Sequence, residues 1–216
     1  MHRDAKSAPV GLHFGAGHSS RTDMPTALIP LAEGCEELEA VTVIDLLRRA
    51  EIEVTTAGLS DGPVTASRRT VLVPDKLLES VAADRFDLIA LPGGLPGATR
   101  LAESQVLAEC LEAQHQRQGW IGAVCAAPAV LARHGLLDGR RATAFPGALD
   151  EYAEKVTVTD EPVVVDGHLV TSRGPGTAMD FALLLIELLR GESVRERVEA
   201  ALQRPRYHTI RQLPAH

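Results

Sequence analysis

Ile121-Gly122-Ala123-Val124-Cys125-Ala126-Ala127-Pro128 decides how this chain reads. The run is an apolar strand that ends at a cysteine and turns at once into a helix. Gly122, Ala123, Ala126 and Ala127 are small enough to let strand and helix pack through a sharp bend, as in nucleophile elbows. The sulfur then stands at the carboxyl edge of a sheet and at the N-terminus of a helix. Unpaired N–H groups there favour negative charge, so this reading predicts a stabilised thiolate. The other reading of the same residues is a structural cysteine buried at an alanine-rich helix start.

Outward from the elbow, strand and helix patterns alternate. Strands are expected at 27–31, 52–57, 71–73, 86–91 and 142–145. Helices are expected at 36–50, 104–118, 177–189 and 194–202. Leu38, Val41, Ile44 and Leu47 recur on one face of the first helix and are expected to bury it. Asp166-Gly167 between 163–165 and 168–172 signals a hairpin, and Gly191 stops the helix before it. Repeated strand–helix–strand units imply a mostly parallel sheet with helices on both faces, an α/β sandwich of three layers.

Composition agrees. Of the 216 residues 45% are hydrophobic but only 3% aromatic, which suits a core of Ala, Val, Leu and Ile in a covered parallel sheet. A chain this long buries roughly 70% of its unfolded surface and needs no staples. The net charge of −7 comes without a basic run, which argues against nucleic acid as a partner. No stretch reaches the roughly 18 apolar residues of a membrane span. Three cysteines without CxxC spacing fit neither a disulfide framework nor a zinc site, and the expectation is a reduced, cytoplasmic protein. Residues 1–23 read as a disordered leader or tag whose histidines, His2, His13 and His18, lack ligand spacing. Residues 24–204 read as one domain and 205–216 as a loose tail. No metal and no cofactor is called for.

Ligands of such sheets bind beyond the carboxyl ends of the strands. Four expected strand ends carry unusual residues: Glu33 to Glu39, Pro92-Gly93-Gly94, Cys125, and Ser172-Arg173-Gly174-Pro175-Gly176. Glu36 and Glu37 read as an acidic first turn that complements the helix dipole. Glu39 reads either the same way or as a carboxyl facing the elbow, its pKa raised by burial and like charge. Gly93-Gly94 removes side chains where a backbone must approach closely. Its functional reading is an oxyanion site in which the Gly94 and Ala126 N–H groups converge; the alternative is a tight turn. Cys35 reads as a small buried thiol, with a resolving cysteine as the rival idea, and Cys110 as packing.

Taken together these motifs resemble the ThiJ/PfpI superfamily, in the branch of the Parkinson-disease protein and bacterial YajL. The matching stretches are ALIPLAEGCEELE at 27–39, DLLRRA at 45–50, VTTAG at 54–58, LPGG at 91–94, VCAAP at 124–128 and TSRGPGT at 171–177. The resemblance implies a flavodoxin-like fold and a homodimer. It implies that Cys125 is the reactive cysteine, Glu39 its acidic partner, and Gly94 and Ala126 its backbone donors. Gly93, Arg49, Arg173 and Pro175 fall around the site or the dimer surface. One position departs. Thr143-Ala144-Phe145-Pro146 stands where the branch has a histidine in a Thr-His-Pro context, so Phe145 replaces a group that moves protons. His134, nine residues beyond Cys125, reads as a helix-end residue. A Cys–Glu dyad without that base makes protease or amidase chemistry doubtful.

The resemblance implies glyoxalase activity without glutathione on methylglyoxal-like 2-oxoaldehydes, and deglycase-type repair of their early protein adducts. The alternative is a sensor of oxidative stress or a redox-regulated chaperone. In it Cys125 is oxidised to a sulfinic acid that the Glu39 carboxyl holds by a hydrogen bond.

Overall fold

Alternate residues of the first strand, β1 (Thr26–Leu31), serve two cores: Ala27, Ile29 and Leu31 enter one apolar cluster, and Leu28 the other. A strand buried on both sides needs helices on both sides, and the computed structural model, which describes residues 24–204, supplies them. From β1 the chain passes through helix α1 (Glu37–Arg49) to β2 (Glu53–Gly58). A two-stranded hairpin of β3 (Val64–Thr65) and β4 (Val71–Leu72) follows, then β5 (Lys76–Leu77) and the short α2 (Leu78–Val81). The chain then returns to the other side of β1 as β6 (Leu88–Leu91), α3 (Gly97–Glu103), α4 (Gln105–Gln116), β7 (Trp120–Val124) and α5 (Pro128–Arg133). After β8 (Arg141–Ala142) and β9 (Thr157–Val158) come the hairpin β10 (Val163–Asp166) and β11 (Leu169–Ser172), then α6 (Ala178–Arg190) and α7 (Glu192–Ala201).

The main sheet has seven strands in the order β10-β11-β7-β6-β1-β2-β5, parallel except for β10. One face carries α1, α6 and α7, the other α2 to α5. This is the flavodoxin-like α/β class expected from the sequence. Winding reverses between β1 and β6, so the crevice at their carboxyl ends is the switch point where such folds bind ligands. The strands on which the sequence placed its unusual residues, β11, β7, β6 and β1, are consecutive in the sheet. Close packing under the elbow depends on Gly122: a Cβ there would lie 2.8 Å from Cζ of the fully buried Phe181 on α6.

Several expectations change. On α1 the buried residues are Glu39, Ala40, Val43, Leu46 and Leu47, while Leu38 and Val41 are half exposed. The helix is thus rotated away from the apolar stripe, which keeps only Leu47 fully inside. The expected strand at 142–145 shrinks to β8, which pairs only with β9, and the strand at 71–73 becomes the hairpin strand β4. The elbow is not followed at once by its helix, since α5 starts three residues after Cys125 and is six residues long. Helix α3 was not expected. Helix α7 packs on α6, with Val194 and Val198 in its cluster. The leader at 1–23 and the tail at 205–216 lie outside the described residues. Among the described residues, no helix is long and apolar enough to cross a membrane, and no group of three or more His, Cys, Asp or Glu could hold a metal ion.

Candidate active site

Helix α1 brings one carboxyl into the sheet edge. Glu36 caps the helix by accepting a hydrogen bond from the Glu39 N–H at 2.8 Å, and the Glu36 N–H donates to the Gly93 carbonyl at 3.0 Å. Glu37 turns outward to the loop before β4, accepting from the Ser67 hydroxyl and the Arg68 and Thr70 N–H groups. Burial alone would raise its carboxyl, but these donors draw it down to about 2. Glu39 points inward and is fully buried. Its Oε2 accepts from the Gly93 N–H at 2.8 Å. Its Oε1 has no hydrogen-bond partner, and the Cys125 thiol is close enough to influence its titration.

Gly93 holds this arrangement together. A Cβ on it would lie 2.7 Å from the Cys125 Cβ, 2.7 Å from the Val124 oxygen and 2.8 Å from the Ala126 nitrogen. All three belong to the elbow, and two are backbone atoms that cannot swing aside. We therefore expect Gly93→Ala to lower stability by about 1–3 kcal/mol and to displace the thiol from Glu39. Urea unfolding and the rate of Cys125 alkylation measure the two effects; an alanine variant with unchanged midpoint and alkylation rate refutes the expectation.

Cys125 itself takes φ 64°, a left-handed conformation that costs a residue with a Cβ about 1–3 kcal/mol. Neighbours impose it. The Cys125 N–H donates to the Ser172 carbonyl at 2.9 Å, and its carbonyl accepts from the Phe145 N–H at 2.8 Å. The side chain is only 8% exposed, and the Gly94 and Ala126 N–H groups favour its charged form.

The electrostatics correct the thiolate expectation. Burial first, then the charge of Glu39, push the Cys125 thiol up to about 12, against the lowering effect of the two N–H groups. Burial likewise pushes the Glu39 carboxyl up to about 7. The helix-end argument fails because the short α5 begins beyond the elbow, and burial with the Glu39 charge outweighs the two N–H groups. The two groups act as one titrating unit. At neutral pH the thiol keeps its proton, and a thiolate forms only when that proton moves to Glu39.

The remaining residues divide. Gly94, at φ 86°, touches α1, since a Cβ there would lie 2.5 Å from the Glu36 nitrogen. Phe145 brings its N–H to the elbow, while its half-exposed ring lies toward Gly174; a Cβ on Gly174 would be 3.6 Å from it. Pro175 opens the adjoining 3-10 turn (Pro175–Thr177). Arg173 is not turned to the thiol: its Nη1 binds the Asp160 carboxylate at 2.8 Å and the Asp160 carbonyl at 3.0 Å, tying the end of β11 to the segment before β10. Arg49 is also outside the site of its own chain. It pairs with Asp45 at 2.7 Å, ten residues along α1 from Glu39, about 15 Å at 1.5 Å per residue. Cys35 is fully buried and free, and Cys110, within its helix, is buried and free. Sequence reasoning missed the backbone partners, Ser172 O and Phe145 N–H, because no side-chain pattern marks them.

Comparison with known proteins gives the same picture. Protein dj-1beta of Drosophila melanogaster is 46% identical over 174 residues, spanning 79% of this chain and 93% of the relative. The Parkinson disease protein 7 homolog of Danio rerio is 43% identical over 180 residues, 82% of this chain and 95% of its own. The glutathione-independent glyoxalase DJR-1.2 of Caenorhabditis elegans is 40% identical over 168 residues, 77% of this chain and 89% of its own. The crystal structure of Drosophila melanogaster DJ-1beta superposes with a TM-score of 0.81 at 42% identity, covering 83% of this chain and 98% of that one. The DJ-1/PfpI family profile matches residues 25–188, and with relatives this similar over nearly their whole length the chain belongs to the DJ-1/PfpI family.

Proposed function

We propose that this protein is a thiol-dependent glyoxalase that needs no glutathione and converts methylglyoxal-like 2-oxoaldehydes to 2-hydroxy acids. The observation that carries the reading is the buried Glu39 carboxyl, held by the Gly93 N–H at 2.8 Å and electrostatically coupled to the buried Cys125 thiol. The activity named for the Caenorhabditis elegans relative supports it.

The chemistry follows from the geometry. Glu39 takes the thiol proton as sulfur attacks the aldehyde carbon, and the Gly94 and Ala126 N–H groups face the oxygen that gains charge. Protonation of that oxygen gives a hemithioacetal. Glu39 then removes the proton from the former aldehyde carbon and returns one to the neighbouring carbon, while the hydroxyl proton passes to the neighbouring carbonyl oxygen, leaving the thioester of a 2-hydroxy acid. Water cleaves the thioester, releasing the 2-hydroxy acid and restoring the thiol. A carboxyl near pKa 7 suits a group that must both take and give a proton. Early adducts of the same aldehydes on proteins present the same carbonyl carbon, and a deglycase role is part of the proposal. The test is lactate formation from methylglyoxal with no glutathione present. Lactate appearing in step with aldehyde consumption supports the reading, and consumption without lactate rejects it.

The working form proposed is a homodimer through the outer face of α1. Leu38, Val41, Val71 and Val73 are 51%, 46%, 59% and 77% exposed, apolar side chains that a partner surface would cover. Replacing Leu38 and Val41 together by Glu is expected to convert the dimer to monomer in sedimentation velocity; a variant that still sediments as the wild type refutes this interface. The three free cysteines, all buried, support a reducing, cytoplasmic setting.

A further inference from the structure

Beside the elbow lies a cavity of about 310 Å³ that the mechanism does not use. Leu95, Ala98 and Ala102 form one wall, Ala126, Ala129 and Val130 another, and the turn after Phe145 closes a third side with Tyr152. Ala126 belongs to two things at once: this wall, and the pair of N–H groups at the Cys125 thiol. We infer that the cavity is the subsite for the substituent of the carbonyl substrate, and that this protein prefers 2-oxoaldehydes bearing a branched alkyl or aryl group over methylglyoxal. The substrate class rests on the glyoxalase reading; the preference rests on the cavity.

Continuity carries the argument. A substrate carbon bonded to Cys125, with its oxygen toward the Ala126 N–H, lies beside the Ala126 side of the cavity. The methyl of methylglyoxal is too small to fill the space. An apolar void of about 150 Å³ is enough to take a benzene ring, and this one is about twice that size. Its walls suit such a group, because five alanines stand where longer side chains would fill the void. Leu95 is 69% exposed on the cavity's edge, apolar surface that a bound ring would cover. Arg133, Glu151 and the Tyr152 hydroxyl supply the polar remainder of the lining.

The experiment compares wild type with Ala129→Leu and Ala102→Leu, which narrow the cavity from opposite walls and leave the thiol and Glu39 untouched. Two measurements are made. The first is kcat/KM for phenylglyoxal and methylglyoxal without glutathione. The second needs no turnover: alkylation of Cys125, followed by mass spectrometry, with iodoacetamide and with N-benzyl iodoacetamide. The inference expects the phenylglyoxal to methylglyoxal ratio to exceed about ten in the wild type and to fall at least tenfold in both variants, chiefly through KM. It also expects the benzyl reagent to react at least fivefold faster than iodoacetamide, with saturation, and both variants to lose that advantage. Equal alkylation rates in the wild type, or an advantage that both variants keep, overturn the subsite whatever the turnover. A benzyl advantage lost in the variants while neither aldehyde is turned over upholds the subsite and overturns the glyoxalase reading instead.

Discussion

Cys125→Ser abolishes lactate formation from methylglyoxal, bringing the rate down by about 10³-fold or more, to the level of buffer. Serine is nearly isosteric, accepts the same two N–H donors and leaves the elbow's backbone bonds to Ser172 and Phe145 in place. The fold is therefore retained and the loss is chemical. A hydroxyl is a far weaker acid than even this raised thiol, so a carboxyl with pKa about 7 cannot take its proton to a useful extent. No thioester can form either, and the last hydrolytic step loses its substrate. Lactate assayed enzymatically against time, with wild type and variant at equal concentration, decides the point. A serine variant keeping more than about a hundredth of the rate would show that the reaction does not run through sulfur.

Glu39→Gln lowers turnover by about 10²-fold or more, the usual worth of a positioned acid–base group, yet makes the protein harder to unfold in mild alkali. The sign follows from the direction of the shift. The carboxyl titrates near 7 in the folded chain against about 4.3 when exposed, so the native state holds its proton more tightly. That contribution is complete below about pH 4 and is lost as pH rises through 7. Above pH 7 the wild type keeps a charge fully buried, and glutamine does not. The variant is expected to gain up to about 3 kcal/mol at pH 8, with the gap closing below pH 5. Urea unfolding at the two pH values measures it, and a glutamine variant less stable than wild type at pH 8 would sink the assignment of a buried, destabilised carboxylate. The same variant separates turnover from sensing: lactate lost while peroxide still converts Cys125 to the sulfinic acid marks an enzyme. A wild type that is inactive but forms a stable sulfinic acid at low peroxide marks a sensor.

The sheet was legible because its signals are local. Pro92-Gly93-Gly94, Cys125 and Ser172-Arg173-Gly174 each end an apolar run, and a parallel sheet needs only that rule to bring such ends to one edge. What escaped were effects set by distant partners. The stripe of Leu38, Val41 and Ile44 has helical spacing, but the Gly93 N–H claims Glu39 for the inside, and one strong buried contact fixes the rotation of the whole helix. The thiol's acidity was read from donors along the chain, whereas burial and a carboxyl more than eighty residues away outweigh them. Arg173 belongs to Asp160 through an ion pair that no periodicity announces. Strands of two residues such as β8 and β9 are too short to show alternation.

Gly93 and Phe145 have opposite freedoms under mutation. At position 93 the amide serves Glu39, the carbonyl serves Glu36, and the missing side chain makes room for the elbow. Three neighbours would have to change together before another residue could enter, so descent by single substitutions has no path through it. At position 145 the elbow uses only a main-chain N–H, and every residue but proline brings one. The side chain at 145 is thus open to drift and selection while the backbone machinery beside it is frozen. A change of side chain there can alter the surroundings of the site without rebuilding its nucleophile.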